Sequence, residues 1–276
     1  MSSSPSPSPS PSSLSRSVIV TMLRTAGCVF AEDEARLLLS AARTPADLAD
    51  MVERRAAGLP LEHVLGWAEF CGLRIAVEPG VFVPRRRTEF LVAHATALAR
   101  QTAGRRAVVV DLCCGSGALG VALAAALDQV EVHAVDIDPA AVRCARRNLA
   151  ATGGRVYEGD LYEPLPATLR GQVDVLVASP PYVPTEAIGL LPPEAREHEP
   201  LVALDGGADG LDIVRRVVAG ASRWLAPGGH LLVETSERQA PRAVRIMARA
   251  GLAPRTAHSE DLMATAVIGV LRSGVD

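Results

Sequence analysis

Ala107-Val-Val-Val-Asp-Leu-Cys-Cys-Gly-Ser-Gly117 is the stretch of this 276-residue chain from which the fold can be read. Its first half, Ala107 to Leu112, is an apolar run closing on an acid, the texture of a parallel strand buried on both faces. Its second half is a glycine loop, and the alanine- and leucine-rich segment Gly117 to Leu127 after it reads as a helix. The alternation then continues. Val130–Val135, Val156, Val173–Ala178 and His230–Glu234 read as strands, with Pro139–Ala150, Gly210–Leu225 and Gln239–Ala250 as helices. Leu252–Ala257 and Ala264–Leu271, joined by a polar turn, end the pattern as an antiparallel hairpin. This order predicts an α/β fold with a doubly wound sheet.

Towards the N-terminus the texture changes twice. Thr88 to Ala99 is helical, and before it Val64–Phe70 and Leu73–Val77 are short apolar runs split by Cys71-Gly72, which suggests a hairpin. From Ser15 to Leu61 the spacing is helical: Ala31-Glu-Asp-Glu34 puts acids at a favourable helix start, and Thr44-Pro45 supplies a cap and a first-turn proline. Met1 to Ser13 alternates Ser and Pro without the features of a secretory signal and reads as a disordered tail. The organisation expected is a tail over 1–14, a helical domain over 15–62, a hairpin linker over 63–86 and the α/β domain over 87–276.

Composition narrows the function. The net charge is −3 and every one of the 28 Lys-or-Arg cations is arginine, scattered along the chain. A nucleic-acid binder would show a basic stripe, so nucleic acid is not the expected partner. No run of eighteen apolar residues occurs, so no membrane partner is expected either. Cys28, Cys71, Cys113, Cys114 and Cys144 are odd in number, form no Cys-x-x-Cys and have no zinc-ligand spacing, which points to reduced thiols in a cytoplasm and no metal.

Asp111 to Gly117 lies at a strand-to-helix junction, where Gly115 and Gly117 let the backbone approach a ligand and the helix start offers free N–H groups. The loop does not spell G-x-G-x-x-G, which argues against a nicotinamide cofactor. Asp136 ends the next strand and can accept ribose hydroxyls. Gly159-Asp160-Leu161 follows the strand after that, where a carboxylate can meet an adenine amino group. Either acid alone is as well explained as a helix cap or loop acid. Three such features at successive strand ends point to a nucleoside cofactor. The residues expected to hold it are Asp111, Cys113, Cys114, Gly115, Ser116, Gly117, Asp136, Asp160, Leu161 and Ser179.

Ser179-Pro180-Pro181-Tyr182 follows the fourth strand. Two prolines make a stiff loop with no backbone donors and outward carbonyls. A planar amide or amino nitrogen is a poor nucleophile, and acceptors on its two N–H groups would orient it and stabilise the charge it gains while attacking a methyl group. The Ser179 hydroxyl and the Pro180 carbonyl are the candidate acceptors, with Tyr182 packed against the flat group. The plain alternative is a proline-stiffened loop with no chemistry.

This loop resembles the Asn/Asp/Ser-Pro-Pro-Tyr motif of amino-methyltransferases. Gly58-Leu-Pro60, Leu65-Gly-Trp-Ala-Glu-Phe70, Pro79-Gly-Val-Phe-Val-Pro-Arg85, Thr88-Glu-Phe-Leu-Val92, His198-Glu-Pro200, Ala203–Leu211 and Leu225–Gln239 resemble the release-factor glutamine methyltransferase family, over residues 30 to 271. The resemblance implies a Rossmann-like seven-stranded class I methyltransferase sheet with a small N-terminal helical domain and S-adenosyl-L-methionine as cofactor. It implies as partner and methyl acceptor a peptide chain release factor, at the glutamine of its Gly-Gly-Gln loop. Arg85, Thr88 and Glu89 would line the substrate side. The chain departs from the family at Ser179, where Asn is usual, at Cys113, where glycine is usual, and at Pro84-Arg-Arg-Arg-Thr-Glu89, where an acid has become arginine. These departures suggest a divergent paralogue. The alternatives are an exocyclic-amine methyltransferase acting on nucleic acid or a small molecule, and a catalytically weak binding paralogue.

Overall fold

The computed structural model describes residues 14–272 apart from position 103; the Ser/Pro tail lies outside the described residues. Helix α1 (Arg16–Thr25) starts where the Ser15 side chain accepts the Val18 N–H, and α2 (Ala31–Ala41) carries Glu32, Asp33 and Glu34 in its first turn. Helix α3 (Pro45–Ala56) is capped by the Thr44 hydroxyl, which accepts the Asp47 N–H at 3.1 Å. Helix α4 (Leu61–Leu65) stops at Gly66, left-handed at φ 79. Val64 and Leu65, expected in a strand, belong to this helix: the apolar run there has a one-turn helical spacing and a glycine to end it.

Strands β1 (Trp67–Phe70) and β2 (Leu73–Ala76) form the expected hairpin over Cys71-Gly72, both at positive φ (51 and 72), the turn conformation that matches strand twist. After α5 (Glu89–Ala99) come β3 (Ala107–Leu112), α6 (Ala118–Ala126), β4 (Val130–Asp136), α7 (Pro139–Leu149), β5 (Arg155–Glu158) and β6 (Val173–Ala178). Two short helices, α8 (Pro193–His198) and α9 (Leu201–Leu204), precede α10 (Asp212–Ala221), β7 (Leu225–Thr235), α11 (Ala240–Arg249), β8 (Leu252–Ser259) and β9 (Ala264–Leu271). Strand β7 begins five residues before the expected His230, because Gly228 and Gly229 let the chain bulge and still pair with β6.

The chain divides into two compact units, one running to Gly66 with Pro193–His198, the other Trp67–Pro192 with Glu199 onwards. In the helical unit Ile19, Leu23, Leu38 and Val52 make the core. Beside it Arg55 is buried against Glu34 (2.6 Å) and also reaches Glu194 of α8 (3.0 Å). In the other unit the hairpin is built into the sheet's own core, Phe70 and Ile75 packing with Leu91 of α5.

The seven-stranded sheet has the order β5-β4-β3-β6-β7-β9-β8, with only β9 antiparallel to its neighbours, so this is the Rossmann-like class I methyltransferase sheet. The chain winds outward from β3 through β4 to β5, then returns to β6 on the other side of β3. Ligands of such sheets bind at that reversal, beyond the carboxyl ends of the two strands. The register pairs Leu112 with Ala178 and Ala178 with Val233. Cys113 and Ser179, which follow β3 and β6, therefore emerge side by side, with Glu234 in the next-to-last position of β7 beside Ser179.

Candidate active site

Asp111 is fully buried at the end of β3, and neither carboxylate oxygen meets a donor in hydrogen-bonding geometry. Burial pushes its carboxyl up to about 8, the nearby Gly120 amide offsetting this in part and the Asp136 charge adding to it. The loop that follows is folded by left-handed residues: Cys113 at φ 58, Gly115 at φ 55 and Gly117 at φ 78. A Cβ on Gly117 would stand 3.1 Å from that of Ala145 on α7, so close packing demands the glycine. Around Gly115 there is open space for a ligand. Cys114 turns into the core with Val132 and Leu149, and buried Ser116 offers its carbonyl to Asn148 at 2.8 Å.

Asp136 ends β4 and is held by two backbone amides, Gly115 N–H on Oδ2 (2.8 Å) and Asp138 N–H on Oδ1 (2.9 Å). Burial raises its carboxyl despite those bonds. Asp160 lies past β5, ion-paired with Arg216 at 2.5 Å, and Leu161 is buried beside it at φ 49. The Cys113 thiol is raised well above its usual range by burial and by the charges of Asp136, Asp111 and Asp160. Unpartnered buried carboxylate, acid cluster and bare glycine cradle fit a cationic nucleoside such as S-adenosylmethionine. Asp111, Gly115, Asp136 and Asp160 are the residues that would hold it.

Across the switch point, Ser179 donates its hydroxyl hydrogen to Glu234 Oε2 at 3.1 Å. The same oxygen accepts the Thr88 hydroxyl at 2.7 Å, while Oε1 accepts the Tyr182 hydroxyl and the Arg87 Nε–H, each at 3.3 Å. Glu234 is only 4% exposed. Burial and the Glu234 charge raise the Tyr182 phenol well above its usual range, and the Arg87 guanidinium lies over the Tyr182 ring. Gln239 holds the loop from behind, its side-chain N–H groups bonding the carbonyls of Tyr182 (2.9 Å) and Asp209 (3.0 Å).

Of the residues expected on the substrate side, Thr88 reaches this cluster. Arg85 instead forks onto Glu199 at 2.6 Å, and Glu89 accepts the Cys71 N–H at 2.8 Å, tying down the hairpin turn. Glu234, Arg87 and Gln239 lie in stretches that carried the family resemblance or a departure from it, but they were not among the residues expected at the site. Leu231-Leu-Val-Glu234 shares with Ala107–Leu112 the form of an apolar strand closing on an acid, but no glycine loop follows it. Among the described residues no group of His, Cys, Asp and Glu is disposed to hold a metal ion, and no helix is long and apolar enough to cross a membrane.

Known proteins similar to this chain are methyltransferases. The family model of the methyltransferase small domain matches residues 72–190. A release factor glutamine methyltransferase of Geobacter sulfurreducens is 43% identical over 203 residues, covering 73% of this chain and 69% of that protein. A 4-amino-L-phenylalanine/4-methylamino-L-phenylalanine methyltransferase of Streptomyces pristinaespiralis is 42% identical over 195 residues, covering 68% of this chain and 65% of that protein. A solved Pyrococcus furiosus methyltransferase shares the fold, with a TM-score of 0.53 at 17% identity over 73% of this chain and 90% of that one. With the Geobacter protein alike to that degree over more than two thirds of either chain, this chain belongs to the release factor glutamine methyltransferase family, enzymes that draw their methyl group from S-adenosylmethionine.

Proposed function

We propose that the enzyme methylates the side-chain amide nitrogen of a protein glutamine, in the Gly-Gly-Gln loop of a peptide chain release factor, and does so in the cytoplasm. The observation that carries this reading is the register of Leu112 with Ala178, which sets the cofactor loop beside Ser179-Pro180. S-adenosylmethionine supplies, when bound, a methyl group on a positively charged sulfur. Asp111, Gly115, Asp136 and the backbone of Cys113 to Gly117 would hold it, with Asp160 available to its adenine. Ser179 Oγ and the Pro180 carbonyl accept the two N–H groups of the amide and stabilise its growing positive charge. Tyr182 and Pro181 wall the flat group. Held by its two N–H groups, the amide nitrogen would keep its lone pair turned towards the methyl group of a bound cofactor, and Ser179 Oγ and the Pro180 carbonyl would stay on its hydrogens until one of them is lost to solvent. The helical unit grips the protein substrate.

A second reading has specific support. The two prolines of the loop lack N–H groups and the Ser179 and Tyr182 hydroxyl hydrogens go to Glu234, so the side chains of the loop have only lone pairs to offer. An aromatic amine needs acceptors and has no carbonyl to satisfy, and the Streptomyces relative is named for such an acceptor. Incubating the enzyme with labelled cofactor, unmodified release factor and 4-aminophenylalanine decides between them. Peptide mass spectrometry should find one methyl on the Gly-Gly-Gln glutamine. Label on the amino acid alone would replace the first reading by the second.

A further inference from the structure

We infer that Glu234 is a positioning residue that makes Ser179 an obligate hydrogen-bond acceptor towards the methyl-receiving nitrogen. The inference rests on the proposed reading of Ser179 as that acceptor, whichever nitrogen compound is methylated.

A serine hydroxyl can donate or accept, and its rotor is free to choose. An isolated serine facing a substrate N–H would therefore spend part of its time pointing its own hydrogen at that group. An asparagine has no such ambiguity, because its acceptor oxygen and donor nitrogen are separate atoms. Glu234 removes the ambiguity here. As the ion-pair partner of Arg87 it is a carboxylate, with lone pairs and no hydrogen to give. At 3.1 Å the bond to Ser179 must run from the hydroxyl to the acid, which leaves the serine lone pairs for the substrate. Three further donors, from Thr88, Tyr182 and Arg87, fix where the carboxylate sits. The charge also polarises the Ser179 O–H bond, so its oxygen becomes a better acceptor as the nitrogen turns positive. In this chain the pair Ser179–Glu234 does what a single amide side chain would do.

The test is a double-mutant cycle with Glu234→Gln and Ser179→Asn. Glutamine is isosteric but brings its own donors, so the Ser179 hydrogen is released from its one fixed direction. With Ser179 in place, Glu234→Gln should lower kcat by on the order of 10²-fold, the scale of losing one charge-stabilising acceptor. The Kd for S-adenosylmethionine, measured calorimetrically, should stay within about threefold of wild type, well short of losing one hydrogen bond to the cofactor. In the Ser179→Asn background the same change should cost less than about fivefold, because asparagine keeps its acceptor whatever its neighbour does. Equal fold-losses in both backgrounds would overturn the inference and leave Glu234 a structural acid. If Glu234→Gln does not fold, Glu234→Asp, which keeps the charge but withdraws it from Ser179, goes through the same cycle with the same criterion. The cycle is run on release factor and on 4-aminophenylalanine. The wild type's preference judges the proposed acceptor separately, and a wild type inactive on both overturns this inference with it.

Discussion

Asp111 enters the reaction as a buried acid without a hydrogen-bond donor, its carboxyl lifted from 3.8 to about 8. Below the lower value folded and unfolded chains both carry the proton. Between the two values only the folded chain keeps it, so the stability of the ligand-free enzyme should fall as pH rises across that window and level off above it. A cationic ligand beside Asp111 favours the charged carboxylate and should expel the proton. Calorimetric binding of S-adenosylmethionine at pH 7, repeated in buffers of different ionisation heat, should therefore show proton release by the wild type and far less by Asp111→Asn. Heats that do not vary with buffer would mean that Asp111 is already ionised before the cofactor arrives. The same residue shows what can be read from letters alone. Asp111 drew attention because it opens a glycine loop between a strand and a helix, but nothing in Leu231-Leu-Val-Glu234 told that β7 would lie beside β6 and bring Glu234 to Ser179.

At the scale of elements, starts and stops with local chemical causes were legible and those with distant causes were not. Thr44-Pro45 announced α3 because cap and first-turn proline act within four residues. The early start of β7 was hidden, since Leu225–Gly229 becomes strand only by pairing with β6 across a bulge. Hidden in the same way was the clamp behind the Ser-Pro-Pro-Tyr loop. Gly210 sits at φ 73 where a Cβ would stand 2.2 Å from Gln239 Nε2 and 2.3 Å from the Tyr182 carbonyl oxygen. Gly210→Ala should break the Gln239 bridge and let the loop drift. A displacement of about 1 Å in a reacting group can cost ~10²-fold in rate. We expect methyl transfer to drop by at least tenfold while cofactor affinity stays near wild type; a variant with wild-type turnover would show that the loop keeps its shape without the bridge.

Over the whole molecule, the two units have cores of different character. The sheet unit relies on apolar layers on either face, with Val110, Leu176 and Leu231 in one and Val109, Val177 and Leu232 in the other. The helical unit has a small apolar core and, next to it, the buried Arg55 shared by Glu34 and Glu194. Removing one partner of a buried pair strands the other charge, at roughly 3–5 kcal/mol. Arg55→Leu should therefore melt the helical unit ahead of the sheet, seen as an early loss of helical circular dichroism. A single unshifted transition would show that the apolar core suffices.

The third partner in that cluster has a consequence for the protein's birth. Glu194 lies 139 residues downstream of Arg55. At ribosomal speeds of roughly 5–20 residues per second, that separation is a wait of about 7–30 s. During the wait the first helices are outside the tunnel with their arginine only half answered. Those helices are made well before the acid that completes their buried cluster.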